Sequence, residues 1–164
     1  MKRAAVLLVL AAAACSPSPP PVTGWPFDPI RFFAGHTHGE ATLHVITGAS
    51  HHVSIDSRGK LAPPRGLILD QTIREQDKPA RVRRWVLAPA GPNRWTGTLT
   101  DADGPVEVVR TDRDVAIRYR MHDGSKVEQH LQQPADGLVR NHLTVSKYGL
   151  RVATLDEVVR KDTK

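Results

Sequence analysis

Gln71, Gln129, Asn141 and Glu157 are the residues whose type and spacing point to chemistry. Each lies in a run where apolar and polar side chains alternate, and each is in phase with the apolar set. Gln71 continues the series Leu67, Leu69 and Ile73; Gln129 lies between Val127 and Leu131; Asn141 lies between Val139 and Leu143. Glu157 is in phase with Ala153, Leu155 and Val159. Successive side chains of a strand point to opposite faces, so an amide in the apolar phase faces inward. A buried amide or carboxylate left alone costs a few kcal/mol, so such groups pair with one another, with water or with a ligand. One reading is a satisfied polar network that fixes strand register or closes one end of the fold. The other is an interior pocket whose few polar groups orient an otherwise apolar ligand. In the second reading Trp85, Trp95 and Tyr119 form walls. In either, Arg83 or Arg84 beside Trp85 is expected to meet Glu157 as a bidentate pair.

Five histidines fall close together: His36, His38, His44, His51 and His52. His36 and His38 share one side of a strand, a spacing that zinc can use. Parity nevertheless groups His36, His38 and His44 with Glu40 and Thr42, opposite Leu43 and Val45, which is the solvated face. With no cysteine partner and no carboxylate at ligand spacing, no metal site and no cofactor are expected. The chain has no Gly-x-Ser-x-Gly, no His-Glu-x-x-His and no phosphate-cradling glycine loop. Its aspartates at 101, 103, 112, 114, 123 and 136 fit turns. An enzyme built inside a barrel is therefore the least favoured class.

The elements that must position the amides read as a β-meander. Turn signals are expected at Thr47-Gly48, Ser57–Gly59, Gln76–Pro79, Ala90–Asn93, Asp101–Gly104, Thr111–Asp114, His122–Gly124, Pro134–Gly137 and Tyr148-Gly149. The segments between them are short and rich in Val, Ile, Leu, Thr, Trp and Tyr. In Val115–Met121 the residues Val115, Ile117, Tyr119 and Met121 oppose Arg118 and Arg120. No segment of helix length shows a 3.6-residue period. About eight to ten sequential strands of this kind pair antiparallel and close, because closure removes exposed edges. The expected fold is an all-β up-and-down barrel, which can be filled by side chains or hold one small ligand as lipocalins do; a two-sheet sandwich is the alternative. The net charge of +6 is spread among acids along the chain, apart from Arg81–Arg84, so a solvated surface and no nucleic-acid stripe are expected.

Residues 1–14 read as a signal peptide: Lys2 and Arg3, an apolar run from Ala4 to Leu10, then the small residues Ala11 to Ala14. The apolar run is too short to span a bilayer, which needs about 20 residues. Cys15, the one cysteine, follows at once. This resembles the lipobox of bacterial lipoproteins, in which the cysteine is linked to diacylglycerol and its new amino terminus acylated, typically with palmitate; Ala12 stands where leucine is usual. Several acyl chains on one residue give stable anchoring. Ser16 is not the aspartate that typically retains lipoproteins in the inner membrane, so the periplasmic face of the outer membrane is the expected location. Residues 15–29 hold the lipidated Cys15 and a proline-rich extended tether, and residues 30–161 the barrel domain. Trp25 and Phe27 are expected to pack against the domain.

The residues Phe32-Phe33-Ala34-Gly35 with Gly39 resemble the opening signature of a known family. Leu69-Asp70-Gln71, Arg84-Trp85, Tyr119-Arg120 and the closing set Asn141, Val145, Lys147, Gly149 and Val152 to Glu157 also fit. The chain is similar to the uncharacterised bacterial lipoprotein family called domain of unknown function 3833, over about Ile30 to Lys161. The resemblance implies a lipocalin-like fold and no known activity. The leading expectation is a membrane-anchored lipoprotein of the cell envelope, holding a small apolar or amphipathic ligand near Gln71, Gln129 and Asn141. The alternative is a structural or interaction lipoprotein of an envelope complex, whose protein partners the sequence does not name.

Overall fold

The computed structural model describes residues 27–162, in which the period-two segments form ten strands preceded by one helical turn. In chain order these are α1 (Pro29–Phe33), β1 (Gly35–Val45), β2 (His51–Ala62), β3 (Gly66–Glu75), β4 (Arg81–Gly91) and β5 (Arg94–Leu99). There follow β6 (Val106–Arg110), β7 (Val115–Arg120), β8 (Lys126–Ala135), β9 (Leu138–Lys147) and β10 (Leu150–Lys161). Each strand pairs antiparallel with the next, and β10 returns to β1 from Thr37↔Lys161 to Val45↔Ala153. The sheet is a closed barrel, which decides between the barrel and the sandwich. The expected signal peptide, Cys15 and the tether as far as residue 26, including Trp25, lie outside the described residues.

The alternation read from the sequence is the alternation observed. Val115, Ile117 and Tyr119 are buried while Arg118 and Arg120 are exposed. Apolar side chains gather in two clusters. One, around Leu67, Leu87, Val108, Val115 and Leu131, lies towards the α1 end; the other holds Ala41, Val53, Ile55 and Ile73.

Two local expectations need correction. Ser57–Gly59 is not a turn: β2 runs straight through it. Ser57 and Gly59 continue the inward phase of Val53 and Ile55, and an added Cβ at Gly59 would overlap the Phe33 carbonyl. The glycine there serves close approach of two backbones rather than chain reversal. The actual turn comes later, at residues 63–65, where Pro63 and Pro64 interrupt the pairing.

The second correction is α1. A five-residue helix is below the length at which a 3.6-residue period can be seen, yet its end signals are present. Asp28 caps it, accepting from the backbone N–H of Ile30 at 3.0 Å and Arg31 at 3.2 Å, and Pro29 occupies the first turn where no N–H is needed. Ile30 and Phe32 are buried at 4% and 6% exposure, so the turn lies across one end of the barrel as a plug. Phe27 packs edge-on against Phe32 with ring centroids 5.8 Å apart. Lys161 Nζ donates to the Arg31 carbonyl at 2.6 Å and so ties the last strand to the plug. Phe27 to Pro29, expected at the end of the tether, thus belong to the folded unit.

Candidate functional site

Register places a row of polar side chains across the barrel interior. Thr37 on β1 is opposite Ser57 on β2, Ser57 is opposite Gln71 on β3, and Gln71 is opposite Arg83 on β4. Gln71, 8% exposed, is the hub of this row. Its Oε1 accepts from Trp85 Nε1 at 2.7 Å and from Arg83 Nε at 2.8 Å, while its Nε2 donates to Ser57 Oγ at 3.0 Å. The Arg83 guanidinium also lies over the Trp85 ring, 5.3 Å from its centroid, a cation–π arrangement.

A second group forms on β7 to β10. Asn141 and Gln129 are buried at 7% and 4% exposure. Asn141 Nδ2 donates to Gln129 Oε1 at 3.2 Å and to Glu157 Oε2 at 2.9 Å, and Gln129 Nε2 donates to Tyr119 Oη at 3.2 Å. The two groups meet where the Trp85 and Tyr119 rings stack edge-to-face, 5.6 Å apart. All six expected site residues, Gln71, Trp85, Tyr119, Gln129, Asn141 and Glu157, therefore converge on one interior waist.

Glu157 sits there because Gly39 makes room for it. A Cβ at Gly39 on β1 would overlap the Glu157 carboxylate reaching across from β10. Burial pushes the Glu157 carboxyl above its ordinary range, against the Asn141 hydrogen bond and the positive fields of Arg83 and His38. The expected bidentate ion pair with Arg83 or Arg84 does not form. Arg84 points outward and grips Asp70 through Nε at 2.6 Å and Nη2 at 2.8 Å. Arg83 points inward, but Gln71 and Trp85 hold its guanidinium instead. Trp95 packs against the main core at the α1 end, beside Pro89 and Arg110, and lines neither interior chamber.

Two chambers flank the waist, and Arg83, Asn141 and Glu157 line both. The smaller, about 50 Å³, lies beneath α1 against Ile30, Phe33 and Trp85. The larger, about 230 Å³, extends to the opposite end of the barrel between Val53, Ile55, Ile73, Leu143 and Leu155. Its rim carries Glu75, Arg81, Met121, Asp123 and Ser125. The rim charges are matched: Lys147 bonds Asp123 at 2.8 Å and, with the Ser125 N–H and hydroxyl, holds that carboxyl far below its usual range. Two interior polar atoms lack partners among the described residues, the Thr37 hydroxyl and Asn141 Oδ1.

His36, His38 and His44 stand outside, on the face that parity assigned them. His38 bonds Asp56 at 3.0 Å and Glu40 at 2.5 Å, which raises its pKa, and His52 approaches Glu40 at 2.6 Å. Sequence reading missed Thr37, Ser57 and Gly39 as interior residues. The signal was available: the phase of Val53 and Ile55 runs on to Ser57, and the phase of Ala41 runs back to Gly39 and Thr37.

No family model and no curated protein matches the chain. Solved structures share its shape. It is similar to an S-type phycobiliprotein lyase, CPES, from Guillardia theta, with a TM-score of 0.63 and 8% identity over 82% of this chain and 92% of that one. It is also similar to a protein of unknown function of the DUF3598 family from Nostoc punctiforme, with a TM-score of 0.58 and 13% identity. That match covers 91% of this chain and 53% of the other, so this chain spans about half its length. At such identities the likeness concerns fold alone, and the fold is a closed, lipocalin-like antiparallel barrel.

Proposed function

We infer that this protein is a cell-envelope lipoprotein, akin to the domain of unknown function 3833 family, whose barrel takes up one small apolar or amphipathic molecule. The observation that carries the reading is the larger chamber: apolar along its walls, polar at its floor, with Asn141 Oδ1 unpartnered there. A barrel selected for stability alone would fill such a space with side chains at crystalline density. A pocket that keeps a few placed polar groups on an apolar lining has the composition of a ligand site. The likeness to a lyase lends a shape and no catalytic residues, and the interior offers a network of amides rather than a nucleophile with its base.

Native mass spectrometry of the protein purified from membranes tests the binding. A reproducible small-molecule adduct, lost on Leu155→Trp, is expected; an interior that stays empty against a panel of amphiphiles overturns it. The anchor rests on the leader, Cys15 and Ser16. Cys15→Ser should abolish palmitate labelling, and Ser16→Asp should move the protein to inner-membrane fractions. Labelling that survives Cys15→Ser defeats the lipoprotein reading.

A second reading, an interaction lipoprotein, draws on Ile46, Tyr148 and Leu150, which stand 73%, 94% and 70% exposed on adjacent hairpins at the open end. It expects a crosslinked partner that is lost on Tyr148→Ser with Leu150→Ser.

A further inference from the structure

Among the described residues, the barrel interior holds one cation without a carboxylate partner, Arg83. Arg83 is fixed from two sides, by its Nε bond to Gln71 and by the Trp85 ring. No carboxylate lies within ion-pair distance of it among the described residues. The cations at the rim differ: Arg81 pairs with Asp101 at 3.3 Å and Lys147 with Asp123 at 2.8 Å. The terminal amino groups of a guanidinium carry four N–H donors, and those of Arg83 have no acceptor among the described residues. They belong to a side chain that lines both chambers.

Two further groups at the waist have capacity to spare. Tyr119 accepts from Gln129, which leaves its own O–H free to donate. Asn141 has spent Nδ2 on Gln129 and Glu157, while Oδ1 is buried with nothing donating to it. Burial raises the Glu157 carboxyl above its ordinary range, and none of its oxygens lies within ion-pair distance of Arg83. The waist thus presents a cation and the Tyr119 hydroxyl beside one orphaned acceptor. A buried charge without a counter-charge is costly, and a bound carboxylate matches a guanidinium fork.

We propose that the occupant is a hydroxy monocarboxylate of medium chain length, with its carboxylate on Arg83, its hydroxyl towards Asn141 Oδ1 and its tail in the larger chamber. This rests on the ligand-binding reading above and deepens it. Size sets the chain length. At ~30 Å³ per water-sized atom, 230 Å³ admits about eight non-hydrogen atoms and the 50 Å³ beneath α1 about two more. That space excludes a diacyl lipid. The head lies inward because the rim charges are already matched and, among the described residues, Arg83 is the one cation lining the chambers without a carboxylate partner.

The test is calorimetric titration of the intact chain, in non-ionic detergent, with 3-hydroxyoctanoate, octanoate and 1-octanol. Affinity should fall in that order, at least tenfold from octanoate to octanol. Arg83→Gln should weaken both carboxylates at least tenfold and leave octanol unchanged. If Arg83→Gln fails to fold, Tyr119→Phe serves, with a several-fold loss expected for the carboxylates alone. Octanol binding as tightly as octanoate overturns the anionic head while the ligand-binding reading stands. Equal binding of the two acids removes the hydroxyl from the proposal. Failure of all three probes overturns the hydroxy-acid proposal, and the ligand-binding reading falls with it only if native mass spectrometry also finds the interior empty.

Discussion

Replacing Gln71 by leucine isolates what the interior polar network contributes. The carboxamide makes three hydrogen bonds, to Trp85 Nε1, Arg83 Nε and Ser57 Oγ. Trp85 and Ser57 are 5% and 2% exposed, so the indole N–H and the hydroxyl are left without solvent when the amide goes. Each unsatisfied buried group costs ~1–3 kcal/mol. Arg83 is half-buried against the larger chamber, where water reaches it, so its loss is smaller. Leucine returns part of the deficit, since burying its side chain is worth ~1.5–3 kcal/mol. The expected net cost is about 1–3 kcal/mol, measured from urea unfolding followed by tryptophan fluorescence. Trp85→Phe in the Gln71→Leu background removes the orphaned donor itself. The double-mutant cycle should therefore show a coupling of ~1–3 kcal/mol, most of it the relief of the stranded N–H. Additivity within ~0.5 kcal/mol would refute the reasoning, because it would mean that the Gln71–Trp85 bond contributes nothing specific to the fold.

Gly39→Ala should destabilise the barrel by about 1–3 kcal/mol through overlap with the Glu157 carboxylate, and Glu157→Ala should rescue it in thermal melts. Gly59→Ala, which meets the Phe33 backbone, should have no such side-chain rescue. Asp28→Ala should cost ~0.5–2 kcal/mol by uncapping α1, read as a lower melting temperature and faster amide exchange at Ile30 and Arg31. Glu157 carries a raised folded pKa, so its contribution is fully present below the unfolded value of 4.5 and is lost as pH rises through the folded value. Glu157→Gln should flatten the stability profile over that interval in urea melts. His38 has the same sign around 6.5: its support from Asp56 and Glu40 is present at lower pH and lost on alkalinisation. Because the pair is partly exposed, His38→Gln should reduce that loss only modestly, and added salt should mask it.

How much of this was legible in the sequence depends on the range of the interaction. Period-two alternation is local, and it placed Gln71, Gln129, Asn141 and Glu157 inside, His36, His38 and His44 outside, and Tyr119 opposite Arg118 and Arg120. Most turns were equally local, since Asp, Asn, Gly and Pro signal them within a few residues. The glycine at 59 misled because one residue type serves two purposes, reversing a chain or admitting another backbone. Only the tertiary partner, Phe33, tells them apart. Arginine partners were ambiguous for a related reason. Arg83 and Arg84 are neighbours in sequence, but parity sends one into the barrel and the other to Asp70, and adjacent aromatic and charged residues hid that phase. The five-residue α1 was invisible to periodicity, although Asp28 and Pro29 announced it as cap and first turn.

The waist is a product of closure rather than of any one strand. Its polar groups come from β1, β2, β3, β4, β7, β8, β9 and β10, and Glu157 fits only because Gly39 lies across the β1–β10 seam. A slip of one residue at any pairing would turn an amide outward and an apolar neighbour inward on the slipped strand. Polar residues in the core therefore do two things at once. Paired to each other, they make wrong registers expensive, since a half-satisfied network is worse than none. Left with spare donors on Arg83 and Tyr119 and a spare acceptor on Asn141, the correct register still has an interior that a complementary molecule can complete. The same residues that select the fold thus define the chemistry of what the fold can hold.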